Sequence, residues 1–256
     1  MAQQTGIVGL RGTVGGLVFA KDGAVRQKPA SNKAAFAGKG SMARVRENAA
    51  EFGGAGAAGK LLRDVLRSFI QGAKDRYMAA RLTQLMSSII RMDSVNGRGA
   101  RQVLVDHAVA KLPGFNFNAG ATLSSTLFFP YSVMYGGNAL LMLDIPSIMP
   151  TLDLAAPQGA THFELVYGIA SVNFGTGTLQ VGTASTPSQK QALNSLPTAY
   201  YAAIDLVLPR AANAQEVMLA VLGVSFYQEV NGAYYAMNNN AGNPLAIVYA
   251  GRHNGG

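Results

Sequence analysis

Apolar residues recur at three- and four-residue spacing in the first half of the chain. Between residues 61 and 70, and again between 82 and 90, this spacing places leucine, isoleucine, valine, phenylalanine and methionine on one side of a helix. A shorter stretch of the same kind covers residues 103–112. Gly72 and the Asn96-Gly97 pair lie between these stretches and favour breaks. The pattern therefore predicts a helical segment over residues 42–112.

After Pro113 the pattern changes to runs of β-branched, aromatic and small residues between turn signals, which is typical of strands. Asn231-Gly232, between SFYQEV and AYYAM, is the strongest hairpin signal because Asn-Gly favours the positive backbone angles of tight turns. Such a series of strands predicts an antiparallel β-sandwich over residues 113–256. The predicted strands are 122–129, 139–145, 162–173, 178–182, 199–208, 216–229, 233–237 and 245–250.

Residues 1–41 are rich in glycine and contain few large apolar side chains. Runs 13–20 and 24–28 are predicted to be extended, with a turn at Asp22-Gly23 between them. Residues 29–41 are predicted to be a linker or an extended arm, and residues 182–197 a long exposed loop. An N-terminal piece so short of apolar groups needs another surface to lie on. The predicted fold is therefore α+β: an N-terminal arm with a hairpin (1–41), a helical segment (42–112) and the β-sandwich domain.

Composition favours contact with other subunits. Of the 256 residues 49% are hydrophobic and only 13% are charged, whereas ordinary domains are nearer a quarter charged. A weakly charged surface of small residues suits burial against another chain, because little charge is desolvated on contact. The absence of cysteine excludes disulfides and thiolate metal sites. With neither a signal-peptide pattern nor an apolar stretch of about 18 residues, we expect a cytoplasmic protein without a membrane span.

Charge is unevenly distributed along the chain. The net charge is +8, yet residues 1–112 carry 18 basic and 7 acidic side chains, and residues 113–256 carry 3 basic and 6 acidic ones. This asymmetry makes nucleic acid, a membrane surface or an acidic partner candidates, and it equally allows the basic half of one subunit to contact the acidic half of the next. Nucleic acid is the less favoured partner, because the basic residues are spread singly along the sequence.

Motifs for catalysis are weak. Residues 54–60 match the phosphate-binding pattern G-x-x-x-x-G-K, but Leu61 stands where Ser or Thr would bind Mg²⁺, and a helical pattern precedes the match. The small residues there are better interpreted as a surface for close helix packing. His107, His162 and His253 lack metal-ligand spacing, and there is no G-x-S-x-G motif. We therefore predict no catalytic, cofactor or metal residues, and no enzyme activity.

The opening sequence GIVGLRGTVGGLVF, residues 6–19, resembles a family of uncharacterised bacterial proteins that begin with L-[KR]-G-T-[IV]-G-G-x-x-F. The resemblance spans nearly the whole chain and brings no catalytic residues. It implies a similarity to subunits of cytoplasmic fibrils or tubes. Later stretches that carry it are RENAAEFG (46–53), AGKLLR (58–63), RLT (81–83), GFNFN (114–118) and GVSFYQEVNG (223–232).

The resulting hypothesis is a structural protein that assembles head to tail with copies of itself into a filament, tube or shell. Contacts would be made by the arm and by the small-residue face of a helix, and heterologous contacts of this kind close into rings or propagate. One alternative is a viral capsid or tail-type subunit, and another is a ligand-binding β-sandwich module. The predicted interface residues are Gly12, Gly15, Gly16, Val18, Phe19, Gly53, Gly54, Ala57 and Ala58.

Overall fold

The structure is a computed structural model that describes residues 2–3, 9–28, 33–137, 139–145, 147–184, 189–194, 202–237 and 241–252. It combines helices with antiparallel strands, which confirms the predicted α+β class. The chain divides into two compact units, Met1–Arg46 and Glu47–Gly256. The helices after residue 47 and the strands after Pro113 therefore belong to one unit.

The first unit contains a small antiparallel sheet. Its predicted turn at Asp22-Gly23 is present, with a carboxylate oxygen of Asp22 accepting the N–H of Ala24 at 3.1 Å. The extended run predicted over 13–20 is wrong in one respect. Gly15 and Gly16, with φ of 54° and 83°, form a turn that splits it into two strands, because glycine adopts positive φ without steric cost. The described strands, in the order β1-β4-β3-β2, are β1 (Ala2–Gln3), β2 (Gly12–Val14), β3 (Leu17–Phe19) and β4 (Ala24–Gln27).

The predicted helical segment is present. After the short helix α1 (Lys33–Gly38), the described helices are α2 (Ala43–Val65), α3 (Arg67–Ile70), α4 (Met78–Arg91) and α5 (Val105–Lys111). Gly72 and Asn96-Gly97 lie between helices, as expected. The apolar spacing has its predicted effect, since Leu62, Leu82 and Met86 are fully buried. Residues 54–60 lie inside α2 and are helical, so they do not form a phosphate-binding loop.

Two long strands, β7 (His162–Val172) and β12 (Val217–Val230), form the centre of the second unit. They pair antiparallel over their whole shared length, from Val217 opposite Val172 to Tyr227 opposite His162. The Asn231-Gly232 turn then returns the chain into β13, as predicted. The other strands of this sheet are β8 (Leu179–Val181), β10 (Gln191–Ala192), β13 (Ala233–Ala236) and β14 (Leu245–Arg252). A second sheet has the order β5-β6-β11-β9, from β5 (Ser132–Tyr135), β6 (Leu140–Ile145), β9 (Thr183–Ala184) and β11 (Ala202–Val207).

The buried side chains form two clusters, and β12 contributes to both. Alternate residues Met218, Ala220 and Leu222 belong to a cluster shared with strands of the second sheet. Their neighbours, such as Leu219 and Val221, belong to a cluster shared with α2 and α4. Burial on both faces explains why β12 is apolar almost without interruption. The sheets curl strongly: the consecutive strands β8 and β9 belong to different sheets, β8 pairing with β7 and β9 with β11. The predicted sandwich is not confirmed.

A glycine allows a helix to approach the central sheet closely. A Cβ atom on Gly168 in β7 would overlap the ring of Phe69 in α3. The aromatic ring therefore occupies the space that any larger residue at position 168 would need.

We expect Gly168→Ala to lower the free energy of unfolding by about 1–3 kcal/mol, because the added methyl group overpacks the core. Urea denaturation of this variant, of Phe69→Ala and of the double variant would measure the coupling. The double variant should lose less stability than the sum of the two single losses. Strictly additive losses would contradict the proposed contact.

A buried carboxylate connects two strands, β7 and β8, with the loop before β12. Glu216 is fully buried; its Oε1 accepts Nη2 of Arg210 at 2.6 Å and Nδ2 of Asn213 at 3.0 Å. Its Oε2 accepts the hydroxyl of Ser171 at 2.7 Å and Nε2 of Gln180 at 3.1 Å. Burial raises the pKa of Glu216, but the hydrogen bonds and the charge of Arg210 outweigh burial and hold that pKa below its ordinary value.

The strand predicted over residues 122–129 is wrong, because residues Leu123–Thr126 form the short helix α6. The hydroxyl of Thr122 accepts the N–H of Ser125, and its carbonyl accepts the hydroxyl of Thr126 at 3.0 Å. These local bonds begin a helical turn and so outweigh the strand preference of the sequence. A further short helix, α7 (Pro150–Asp153), and strand β5 were not predicted.

Some predicted features lie partly outside the described residues. In the linker predicted over residues 29–41, the described part contains α1 and most of the 3-10 turn Gly40–Met42. In the loop predicted over residues 182–197, the described part contains β9 and β10. The parts that lie outside the described residues are 6–8 of the opening motif, 29–32 of the linker, 185–188 and 195–197 of the loop, 199–201 of a predicted strand, and His253.

Candidate assembly interface

The structure brings the predicted arm residues together in the first unit. Gly12 lies opposite Phe19 in the β2–β3 pair, and Gly15 and Gly16 form the turn between these strands. The glycines are exposed, whereas Val18 and Phe19 are only half-buried. The five residues therefore share one hairpin.

The arm sheet has no core among its described residues. In the ranges 9–28 and 36–46, none of the described side chains is buried. Val14 is 67% exposed, and Leu10 and Leu17 are also exposed. A small sheet of this kind is only marginally stable unless an apolar face is covered. The arm sheet thus has exposed apolar side chains and no buried core of its own among its described residues.

The arm is also basic. Within residues 9–28 there are four basic side chains and one acidic one, Asp22. An acidic or weakly charged surface is the electrostatically suitable partner for it. Residues 113–256 have the opposite charge balance, with 3 basic and 6 acidic side chains.

The small-residue stretch of α2 has two differently exposed sides. Ala58 is buried, 5% exposed, and packs inside the second unit. Gly53, Gly54 and Ala57 are exposed, and Phe52, which directly precedes Gly53, is 66% exposed. The sequence pattern did not single out Phe52, although an exposed aromatic residue is a usual component of protein interfaces. Gly53, Gly54 and Ala57 remain available for contact, whereas Ala58 is used in the core.

The glycines of α2 are not required by packing inside the described chain. A Cβ atom on Gly53 or Gly56 would meet nothing within 4 Å. On Gly54 it would lie 3.6 Å from Cδ1 of Ile90, and on Gly59 3.7 Å from Cγ of Leu82, which are ordinary contacts. Each glycine in a helix costs about 1 kcal/mol relative to alanine. Packing within the described residues therefore gives no reason for this cost at Gly53 and Gly56.

We expect Gly53→Ala/Gly56→Ala to raise the free energy of unfolding by about 0.5–1 kcal/mol per site, because alanine has the higher helix propensity. The same methyl groups would hold a neighbouring chain away and weaken assembly. Urea denaturation of dilute protein measures the first effect, and light scattering of concentrated protein the second. Gly59→Ala is the matched control: position 59 is buried against α4, so this variant should keep normal assembly. Unchanged assembly of the double variant would contradict a contact at this face.

A recess of about 530 Å³ lies beside the same helix. Gly54, Ala57 and Ala58 form one wall, residues 101–105 another, and residues 173–175 a third. Among its described lining residues Arg101 alone is ionisable, and it lies 3.9 Å from a carboxylate oxygen of Glu51. The lining therefore offers no acid–base pair of the kind that a reaction site uses.

Asp93 holds the segment that forms one wall of this recess. Its Oδ1 accepts the N–H groups of Val95 and Asn96, at 2.9 and 3.0 Å. Its Oδ2 accepts Nδ2 of Asn96 at 2.7 Å and the N–H of Gln102 at 2.9 Å. Burial raises the pKa of Asp93, but these hydrogen bonds outweigh it and hold the pKa far below its ordinary value. The side chain therefore serves as an anionic anchor for the loop.

Groups that could support other chemistry are scattered. Within the described part of the chain, no group of three His, Asp or Glu side chains is arranged to hold a metal ion. Nδ1 of His107 is buried without a hydrogen-bond partner, and His162 contacts Thr161 and Glu229. Among the described helices, none has the length and apolar character that crossing a membrane requires.

Comparison of the chain with protein-family models, with curated proteins and with solved structures finds no match. The resemblance of the opening motif to a bacterial family therefore stays a prediction.

Proposed function

We propose that this chain is a cytoplasmic structural subunit, without enzyme activity, that assembles head to tail with copies of itself through its N-terminal arm. The observation that carries the proposal is the arm sheet, in which apolar side chains such as Val14 and Leu17 are exposed and no described side chain is buried. Covering this sheet on a neighbour would remove apolar surface from water on both chains.

Open sheet edges supply a mechanism for the contact. Among the described strands, β2 ends the arm sheet, while β5 and β13 end sheets of the second unit. Every residue of β13 is exposed, including Tyr234 and Tyr235. An edge strand of one subunit can pair with an edge strand of the next, since both present unpaired backbone groups. The edge of the arm sheet and the edge strands of the second unit are different surfaces, so contacts between them propagate or close into a ring.

Two further features support the proposal. The glycine-rich outer side of α2 permits a close approach of another chain, and Phe52 beside it supplies an aromatic contact. The basic arm complements the acidic balance of residues 113–256. Within the proposal, the two curled sheets form a sandwich around their shared cluster, and this sandwich is the body to which the arm docks.

Negative-stain electron microscopy of the purified full chain, with light scattering on the same sample, tests the proposal. Regular fibres, tubes or rings, with scattering that rises above a threshold concentration, are expected. A monodisperse species of 26.7 kDa at every concentration and salt would contradict self-assembly and favour a monomeric binding module. Assembly that occurs only when nucleic acid is added would favour a viral capsid-type subunit instead.

A further inference from the structure

Basic residues that are separated in the sequence meet at one cleft of the second unit. The cleft lies between the C-terminal part of α2, the turn at 71–77 and the start of α4, and has a volume of about 690 Å³. Part of its lining is apolar, from Ile70, Met78 and Ala79. Its basic lining residues are Lys60, Arg63, Arg67, Lys74 and Arg76.

The two carboxylates of this cleft do not neutralise it. Asp64 pairs with Arg67 at 3.4 Å, and Asp75 pairs with Arg81, which lies outside the lining. Lys60, Lys74 and Arg76 have no carboxylate within ion-pair distance among the described residues, so their charges face solvent. The five cations and two anions of the lining leave a net charge of +3.

An exposed aromatic ring adjoins the cleft. Tyr77 follows Arg76 in the chain and is 66% exposed. The guanidinium carbon of Arg76 lies 5.6 Å from the centroid of the Tyr77 ring. An exposed ring with a cation beside it is a surface on which a planar base can stack.

We propose that this cleft binds single-stranded nucleic acid, with the cations contacting successive phosphates and Tyr77 stacking on an unpaired base. The proposal does not rest on self-assembly, since every residue that carries it belongs to one chain and one unit.

A single strand explains the combination of residues better than an acidic protein surface does. Phosphate neutralisation accounts for cations that have no carboxylate partner. An acidic peptide would use the same cations, but it would give no reason for an exposed tyrosine beside them. A duplex would contact the cations with its backbone and keep its bases stacked on each other, away from the ring.

Fluorescence anisotropy of the full chain with a labelled oligothymidylate of about 16 nucleotides tests the proposal. We expect binding at low salt that weakens steeply between about 50 and 200 mM salt. In Lys60→Ala/Lys74→Ala, the slope of log affinity against log salt should fall by about 1.4, because two phosphate contacts are lost. In Tyr77→Ala, the affinity should fall roughly tenfold with an unchanged slope, because stacking does not release counterions.

The matched control is Arg91→Ala/Lys111→Ala, which removes the same charge from exposed positions outside the cleft. This control should retain most of the affinity, and all variants should keep the thermal midpoint of the parent protein. An absence of binding to the oligothymidylate, or an equal loss in the control, would overturn the proposal. Tighter binding of a polyglutamate peptide, or duplex binding that is insensitive to Tyr77→Ala, would also overturn it.

Discussion

Deletion of residues 1–40 is expected to leave a folded protein that no longer assembles. All the buried hydrophobic residues of the described chain lie between Ala55 and Ile247, so the deletion removes none of them. It does remove the exposed apolar residues of the arm, among them Leu10, Val14 and Leu17. The free energy of unfolding of the remaining unit should change by less than about 0.5 kcal/mol, while the threshold concentration for assembly should rise beyond measurement.

Electron microscopy, light scattering and urea denaturation of the truncated chain measure these effects. Val14→Asn/Leu17→Asn is a finer variant, since it keeps the arm but makes two of its exposed apolar positions polar. This variant should weaken assembly in the same direction, because less apolar surface is covered on docking. If the truncated chain still forms the same polymer, the arm is not the contact.

Arg210→Ala is expected to lower the free energy of unfolding by about 3 kcal/mol at neutral pH, because it leaves the carboxylate of Glu216 buried without its cation. The side chain of Glu216 is 1% exposed, and Arg210 supplies both a hydrogen bond and the compensating charge. Arg252→Ala is a closely matched control. Arg252 is 45% exposed, compared with 46% for Arg210, but its partner Asp106 lies on the surface, so its loss should cost less than about 1 kcal/mol.

The effect of Arg210→Ala should depend on pH. A carboxylate whose folded-state pKa is lowered stabilises the native state above its unfolded-state pKa, and this stability is lost as the pH falls through the folded-state pKa. The pKa of Glu216 is lowered from an ordinary value of 4.5. The difference in the free energy of unfolding between parent and variant should therefore be full at neutral pH and become smaller below about pH 4.5. Thermal unfolding of both proteins across this range measures the effect. A difference that is independent of pH would show that Arg210 acts only through packing.

The elements that sequence predicts best here are those with an unambiguous local signal. The long apolar run of β12 and the Asn231-Gly232 turn after it lie where they were predicted. The apolar spacing of α4 likewise identifies its buried side, with Leu82 and Met86 in the core. Residues 122–129 carry two competing signals. Thr and Phe favour a strand, but the hydroxyl of Thr122 accepts a hydrogen bond that begins a helical turn, and the helix forms.

Contacts between distant residues could not be predicted from the sequence. The burial of Glu216 could not be predicted from the sequence, because its hydrogen-bond partners Ser171 and Gln180 come from two separate strands. In the cleft, the spacing of Lys60, Arg63 and Arg67 indicates one helix face, but their meeting with Lys74 and Arg76 depends on the turn after α3. The basic residues are spread singly in the sequence and grouped in space.

The dual burial of β12 has a consequence for how the second unit opens. Successive residues of β12 belong alternately to the two clusters. Separating the helices from the sheet would therefore expose one face of β12, and separating the second sheet would expose the other face. Partial opening at either side therefore exposes apolar surface on the strand that both share. The amide protons near the middle of β12 should accordingly exchange with solvent last, at a rate set by global unfolding of the unit.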